Sequence, residues 1–285
     1  MKCFYIIANP DKAGAGDTAR QIYDYLTSHG ADCIIGGEGV EKRGAGYHYT
    51  DASLVPDNTD CVITLGGDGT LIQAARDLAG RNIPMLGINK GTLGYLTQIS
   101  DTEEIQGALD ALLSNDYQLE ERMMLKGYAY RDGKEISRDL SLNEVVITRS
   151  EHLTMLRFKV YVNQEYLNEY RADGLIVATP TGSTAYNLSA GGPIIVPDSK
   201  MMVLTPICSH ALNARSIVMS ADDWIQVEIL GNEGMVHAAV FDGDTVIELR
   251  TGDYVEIHKS ETKTILVKLK NISFLDNLRN KMEGI

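Results

Sequence analysis

The hydrophobic period of this chain changes once, near Tyr117, and that change restricts the fold more than any other feature. Up to that point short apolar runs alternate with stretches of helical spacing. Residues 3–8, 32–35, 61–65 and 83–88 read as strands. Residues 16–29 carry Ala19, Ile22, Tyr23 and Leu26 at helical spacing and stop at Gly30, a residue suited to closing a helix. Two more helices are expected over 69–78 and 102–113. Repeated strand–helix–strand units predict a parallel sheet that gathers ligands at its strand C-termini. The polar, glycine-rich residues 36–56 are too long for an ordinary connection and predict a surface excursion.

Beyond Tyr117 the segments become short and strand-like: 126–131, 143–148, 156–162, 175–178, 201–205, 224–230, 236–241, 254–258 and 264–269. Turn pairs such as Asp132-Gly133, Gly231-Asn232 and Asp242-Gly243 separate several of them. The chain is therefore expected to be α/β, with a Rossmann-like α/β domain over 1–120 and a β-rich domain over 121–270. Residues 271–285 contain a short helix with Phe274, Leu275 and Leu278 on one face, expected to return to the first domain. The active site is expected in the cleft between the two domains.

Composition narrows the partners. A net charge of −13 over 285 residues argues against nucleic acid and anionic membranes, but leaves room for a small anion held by local N–H groups. No apolar run approaches the roughly 20 residues of a membrane span, and the N-terminal run is too short for a signal peptide. Cys3, Cys33, Cys61 and Cys208 are scattered and form no C-x-x-C pair. They are expected to be buried free thiols in a reducing cytoplasm, and no zinc or other protein-held metal set is expected.

The chemistry concentrates at two strand ends. The first is Gly66-Gly67-Asp68-Gly69-Thr70, between an apolar run and a helix. Glycines let backbone N–H groups approach a phosphate, and a helix N-terminus favours its charge. A bare carboxylate repels that phosphate, so Asp68 is expected to deprotonate a neighbouring hydroxyl or to hold a metal; the plainer reading is a helix cap. The second is Thr179-Pro180-Thr181-Gly182-Ser183-Thr184, whose hydroxyls and N–H groups suit a phosphate, ribose or base edge, or simply cap a turn. Asn143-Glu144 offers an amide and a carboxylate before a strand, or only a turn. Arg171 beside Asp173 reads plainly as a surface ion pair, and Asp242-Gly243-Asp244 as a hairpin turn. Two glycine-bearing loops, 9–16 with Lys12 and 87–96 with Asn89 and Tyr95, are further candidates. Neither G-x-x-x-x-G-K-[ST] nor G-x-G-x-x-G occurs, which removes the main support for P-loop kinases and Rossmann dehydrogenases.

Taken together these segments resemble the NAD kinase family. The likeness runs through Gly66–Thr70, 86–96, Asn143-Glu144, 173–186, 189–193, 204–206 and Arg215-Ser216, most of residues 60–245. The Gly-Gly-Asp-Gly-Thr turn is shared with diacylglycerol and sphingosine kinases and phosphofructokinases. The Thr-Pro-Thr-Gly-Ser-Thr-Ala-Tyr segment makes the resemblance specific. Residues 1–60 match weakly, and 149–154 depart from the pattern. The resemblance implies transfer of the terminal phosphate of ATP, or another phosphate donor, with Mg²⁺ or another divalent cation. The acceptor is the 2′-hydroxyl of the adenosine ribose of NAD, and the product is NADP.

Under that resemblance Asp68 is the proton acceptor and Gly66, Gly67, Gly69 and Thr70 form the phosphate-donor loop. Asp68 and Gly69 also touch substrate, and Asn143 and Glu144 hold the adenosine portion. Arg171 and Asp173 meet the remaining polar groups of the dinucleotide. Thr184, Ala185, Tyr186, Asn187, Leu188 and Ser189 lie along adenine and ribose. The family likeness also implies a homodimer or homotetramer in which a neighbouring subunit completes the site through Arg171–Asp173, with no nucleic-acid or membrane partner. A diacylglycerol-type lipid kinase, prompted by Asn9-Pro10 followed by Gly14 and Gly16, and a non-catalytic NADP-binding sensor are the alternatives.

Overall fold

The apolar runs of the first third become the inner strands of a parallel sheet. Elements there are β1 (Cys3–Ala8), α1 (Ala15–Ser28), β2 (Asp32–Ile35), β3 (Cys61–Gly66), α2 (Asp68–Asp77), β4 (Met85–Asn89) and α3 (Thr102–Ser114). The strand order β2-β1-β3-β4 is parallel throughout, with Phe4 opposite Cys61 and Val62 opposite Met85. The computed structural model describes residues 1–36, 50–91, 94–97, 99, 101–149, 155–211, 213–231, 236–269 and 273–283. Most of the expected excursion, residues 37–49, lies outside them, as do Thr92, Leu93 and Asn232.

Among the described residues twelve strands follow: β5 (Gln118–Arg131), β6 (Lys134–Ser141), β7 (Glu144–Arg149), β8 (Leu156–Val162), β9 (Glu165–Ala172) and β10 (Gly174–Ala178), then, past the one-turn α4 (Tyr186–Ser189), β11 (Met201–Ile207), β12 (Ile217–Ser220), β13 (Ile225–Leu230), β14 (Val236–Phe241), β15 (Thr245–Arg250) and β16 (Tyr254–Lys268). The chain ends in α5 (Phe274–Glu283). It divides into two units, Met1–Glu121 with Lys263–Ile285, and Arg122–Thr262.

In the first unit β3 is buried along its whole length, as a strand covered on both faces must be. α1 buries Ala15, Thr18, Ala19, Ile22 and Leu26 against the sheet; Tyr23, expected on that face, is exposed instead. Val267 and Leu269, from the returning segment, join this core, and Leu266 pairs with Met85 of β4. On α5 the expected apolar stripe is only partly realised. Leu275 is exposed, and the buried residue is Asn277, whose amide donates to the Gly94 carbonyl at 3.1 Å.

The second unit is a sandwich of antiparallel layers. One layer runs β12-β11-β10-β7-β14-β15; the other pairs β16 with β13, β13 with β8 and β8 with β9. Phe158, Val160, Val227 and Ile257 of one layer pack on Val145, Val177, Leu204 and Phe241 of the other. A second apolar cluster, including Ile176, Val203 and Ile195, covers the opposite face of β10, so that strand is buried throughout. Segments 254–258 and 264–269, expected as two strands, are one continuous β16. Asp132-Gly133 and Asp242-Gly243 take the positive φ that tight hairpins need. The expectation of buried thiols holds for Cys61 alone; Cys3 and Cys33 are half-buried and Cys208 is exposed.

Candidate active site

Parallel sheets bind ligands where the strand order reverses, and in the first unit that point lies between β1 and β3. The loops leaving those two strands meet there. Asn9, buried after β1, donates its amide to Thr70 Oγ1 at 3.1 Å and accepts from the Asp11 N–H at 2.9 Å. A Cβ on Gly66 would overlap Thr70 Oγ1, so glycine is required there by the protein itself. Gly67 and Gly69 differ: a Cβ on either meets nothing within 4 Å, and neither has the positive φ that favours glycine. Their bareness leaves two open approaches to the backbone at the head of α2.

Asp68 is the first helical residue of α2, with Gly67 at the cap position, so its side chain is not the helix cap. Its carboxylate turns to residues 95–97 instead. Oδ2 accepts from the Tyr95 N–H at 2.7 Å. Oδ1 accepts from the N–H groups of Leu96 and Thr97 at 3.1 and 3.0 Å and from the Thr97 hydroxyl at 2.8 Å. A carboxylate has about four lone-pair positions, so Oδ1 is filled and Oδ2 keeps capacity for one more donor. A Cβ at Gly94 would overlap this carboxylate. Nearby, Lys90 Nζ reaches Thr18 Oγ1 at 3.0 Å and Asn89 Nδ2 the Gly91 carbonyl at 2.7 Å, while Lys12 is exposed.

In the second unit, Asn143 and Glu144 sit at the entry to β7, both largely buried. Their backbone is fully committed. The N–H groups of Leu142, Asn143 and Glu144 all donate to the Asp242 carboxylate, at 2.7, 2.9 and 3.0 Å. Thr179 takes two of the carbonyls, its hydroxyl bonding Leu142 O at 2.6 Å and its N–H bonding Asn143 O at 2.8 Å. The Asp242 N–H takes the third, Glu144 O, at 3.1 Å. Among the described residues Glu144 Oε2 is buried without a hydrogen-bond partner. Burial, and then the neighbouring Asp242 charge, push the Glu144 carboxyl up to about 8.

The turn after β10 is a single 3-10 turn, Gly182–Thr184, followed by α4. Thr184 Oγ1 caps back to Thr181 O at 3.2 Å, and Ala185 N bonds Gly182 O at 2.9 Å. Tyr186, Leu188 and Ser189 are exposed. Asn187 is fully buried, and its amide holds the turn together. It donates to Ser183 O at 3.1 Å and Pro193 O at 3.0 Å, and accepts from Thr205 Oγ1 at 2.7 Å. Asp173 pairs with Arg149 at 3.3 Å, not with its neighbour Arg171, which is exposed and lies opposite Arg157 on β8. The corner explains this: alternation alone would put 171 and 173 on one face, but β9 ends at Ala172 and Asp173 turns into β10, beside Arg149 on the adjoining strand.

Sequence reasoning missed Thr97, the bonds that Thr179 makes to the carbonyls of residues 142 and 143, and the second role of Asp242. Each acts over a long sequence separation, and the hairpin reading of Asp242-Gly243 already accounted for that pair locally. Among the described residues no three His, Cys, Asp or Glu side chains gather as a metal set, and no helix is long and apolar enough to cross a membrane.

An α/β unit with a glycine turn at its sheet's switch point, joined to a β-sandwich unit, is the domain pair of a two-domain kinase. The model of the ATP-NAD kinase N-terminal domain matches residues 4–117, and that of the C-terminal domain matches 142–269. The NAD kinase of Lachnospira eligens is 47% identical over 294 residues, covering 99% of this chain and 100% of that protein. That of Agathobacter rectalis is 41% identical over 287 residues, covering 99% of each. The chain belongs to the NAD kinase family. Its fold matches yeast NADH kinase complexed with NADH, with a TM-score of 0.85 at 21% identity over 100% of this chain and 88% of that one. It also matches an NAD kinase from Archaeoglobus fulgidus in complex with ATP, with a TM-score of 0.78 at 24% identity over 100% of both. Membership removes the lipid-kinase alternative.

Proposed function

We propose that this chain phosphorylates the 2′-hydroxyl of the adenosine ribose of NAD from ATP and yields NADP, with Asp68 as general base. The observation that carries this reading is the head of α2. Asp68 stands between two glycines with open approaches, and its Oδ2 has one lone-pair position left. The N–H groups of Gly67 and Gly69 would cradle the transferred phosphate, while the Thr70 N–H is bonded to Gly67 O at 3.0 Å. The ribose hydroxyl donates to Asp68 Oδ2; its oxygen attacks the terminal phosphorus, the bond to the ADP oxygen breaks, and the hydroxyl proton passes to Asp68. Such a base typically contributes about 10²–10⁴-fold, with positioning and charge neutralisation supplying the rest.

Mg²⁺, or another divalent cation, enters as the ATP complex. Such an ion would be carried largely on the phosphates, since Mg²⁺ commonly keeps waters and one or two protein ligands. Asn143 and Glu144 hold the nucleoside: among the described residues Glu144 Oε2 is buried with no hydrogen-bond partner, while the backbone of both is fixed. Tyr186, Leu188 and Ser189 offer an exposed edge to ring and ribose, and Thr184 and Ala185 shape it. Asn187 contributes by holding that edge in place. The names of the relatives and the NADH and ATP complexes of the neighbours support both substrates. We further propose a cytoplasmic homodimer or homotetramer in which Arg171 and Asp173 serve a neighbouring subunit's site.

The test is formation of NADP from NAD, or of NADPH from NADH, by the purified chain supplied in turn with ATP, other triphosphates and polyphosphate. ATP-dependent NADP formation is expected. Tight NADP binding without turnover on any donor would make the chain a sensor and overturn the proposal.

A further inference from the structure

We infer that Asp242 is the positioning residue for Asn143 and Glu144: one carboxylate in the β14–β15 turn fixes the backbone from which both nucleoside-contacting side chains extend. The inference rests on the reading of that pair as nucleoside contacts. Three consecutive N–H groups, of Leu142, Asn143 and Glu144, converge on this one side chain at 2.7–3.0 Å. They come from about a hundred residues away in sequence, so no local turn motif accounts for them.

The hairpin itself does not need the charge. Position 242 has φ 49°, a conformation that asparagine or glycine adopts at least as readily. The carboxylate also carries a cost, because it stands beside buried Glu144 and works against that group's ionisation. What asparagine lacks is a second acceptor oxygen. With one amide oxygen, at least one of the three N–H groups would face an NH₂. The need for two acceptor oxygens accounts for an aspartate here.

β10, which faces Glu144 at Ala178, is apolar from Gly174 to Ala178; Thr179 is uncharged, and Thr181 accepts from the buried Arg122 guanidinium at 3.3 Å. Asp242, from the turn beyond β14, is the charge acting on it. Fixing the backbone thus leaves the two side chains free, one amide and one carboxyl, for an adenosine edge and its ribose.

The experiment is a graded series, Asp242→Asn and Asp242→Ala, measured alone and with Glu144→Gln, reading kcat and KM for NAD and for ATP separately. Asp242→Asn should raise KM for NAD by about tenfold, and Asp242→Ala by up to about a hundredfold. KM for ATP and kcat should stay within about twofold, because the N–H groups that Asp242 holds carry the nucleoside contacts and not the donor loop. In the Glu144→Gln background the Asp242→Asn effect should shrink, since the two act as one unit. A merely structural role would lower kcat, raise both KM values together and add to Glu144→Gln.

If Glu144→Gln raises KM for NAD while Asp242→Asn leaves it unchanged, this inference fails and the nucleoside reading stands. If Glu144→Gln itself has no effect, the nucleoside reading fails and takes the inference with it. Should the Asp242 variants not fold, the wild-type pH profile decides. Ribose hydroxyls donate, so the ionised Glu144 is the better acceptor, and KM for NAD should fall as pH rises through about 8. That fall should be absent in Glu144→Gln. A flat wild-type profile overturns the inference.

Discussion

Replacing Glu144 with Gln should stabilise the second unit, and by more as the pH rises. The wild-type carboxyl is moved from 4.5 to about 8 by burial and by the Asp242 charge. A raised acid favours the folded chain while it is protonated. Its contribution is therefore intact below 4.5 and declines as pH climbs through about 8. One pKa unit corresponds to about 1.4 kcal/mol, so the ionised form is disfavoured by roughly 3–5 kcal/mol in the folded state. Over the interval from about pH 5.5 to about pH 8.5, linkage makes wild type lose about 3 kcal/mol relative to the variant. Gln keeps the shape and removes the titration. The single tryptophan, Trp224, lies in the same unit as Glu144, so its fluorescence during urea unfolding reports the right part of the chain. Parallel stability–pH curves for the two proteins would refute the buried, Asp242-facing placement of this carboxyl.

Asp68→Asn should keep NAD binding, measured by titration, and lose about 10²–10⁴-fold in kcat; near-wild-type turnover would remove Asp68 as the base. Gly66→Ala should destabilise or prevent folding, because its Cβ would overlap Thr70, whereas Gly67→Ala should fold with an unchanged melting temperature. The second variant should raise KM for ATP, and an unchanged KM would count against phosphate approaching there. Of the four thiols, exposed Cys208 should react first with a disulfide reagent. Cys61, buried and pushed up to about 12 by desolvation, should react only on unfolding.

The strands that sequence patterning missed share one property. β6, β9, β12 and β15 each lie at the margin of their pairings, and their outward residues are polar or exposed. Period-two alternation registers a strand only where one face meets a core, so inner strands such as β7, β10 and β14 were legible and margins were not. At the candidate site, the Gly66–Thr70 turn and Asn143-Glu144 could be read because their residue types are unusual for their setting. The groups that hold them could not. Thr97, Thr179 and Asp242 have ordinary local explanations, and their partners lie 29, 37 and about 100 residues away. Asn187 shows the converse: a residue singled out as a contact has its amide spent on Ser183, Pro193 and Thr205.

The first unit is assembled from two stretches of chain, and this sets an order on synthesis. Leu266 completes the pairing at β4, Val267 and Leu269 join the core, and Asn277 fastens Gly94 beside the Asp68 carboxylate. All four are translated after the second unit's 141 residues, Arg122–Thr262. A nascent chain therefore carries an unclosed parallel sheet while the sandwich is being made. Domains that emerge first ordinarily fold first. Here the second unit has all its strands in hand before the first can finish, and the pocket around Asp68 matures last. A chain released between residues 262 and 277 holds every residue of the second unit and lacks the Asn277 that fastens Gly94.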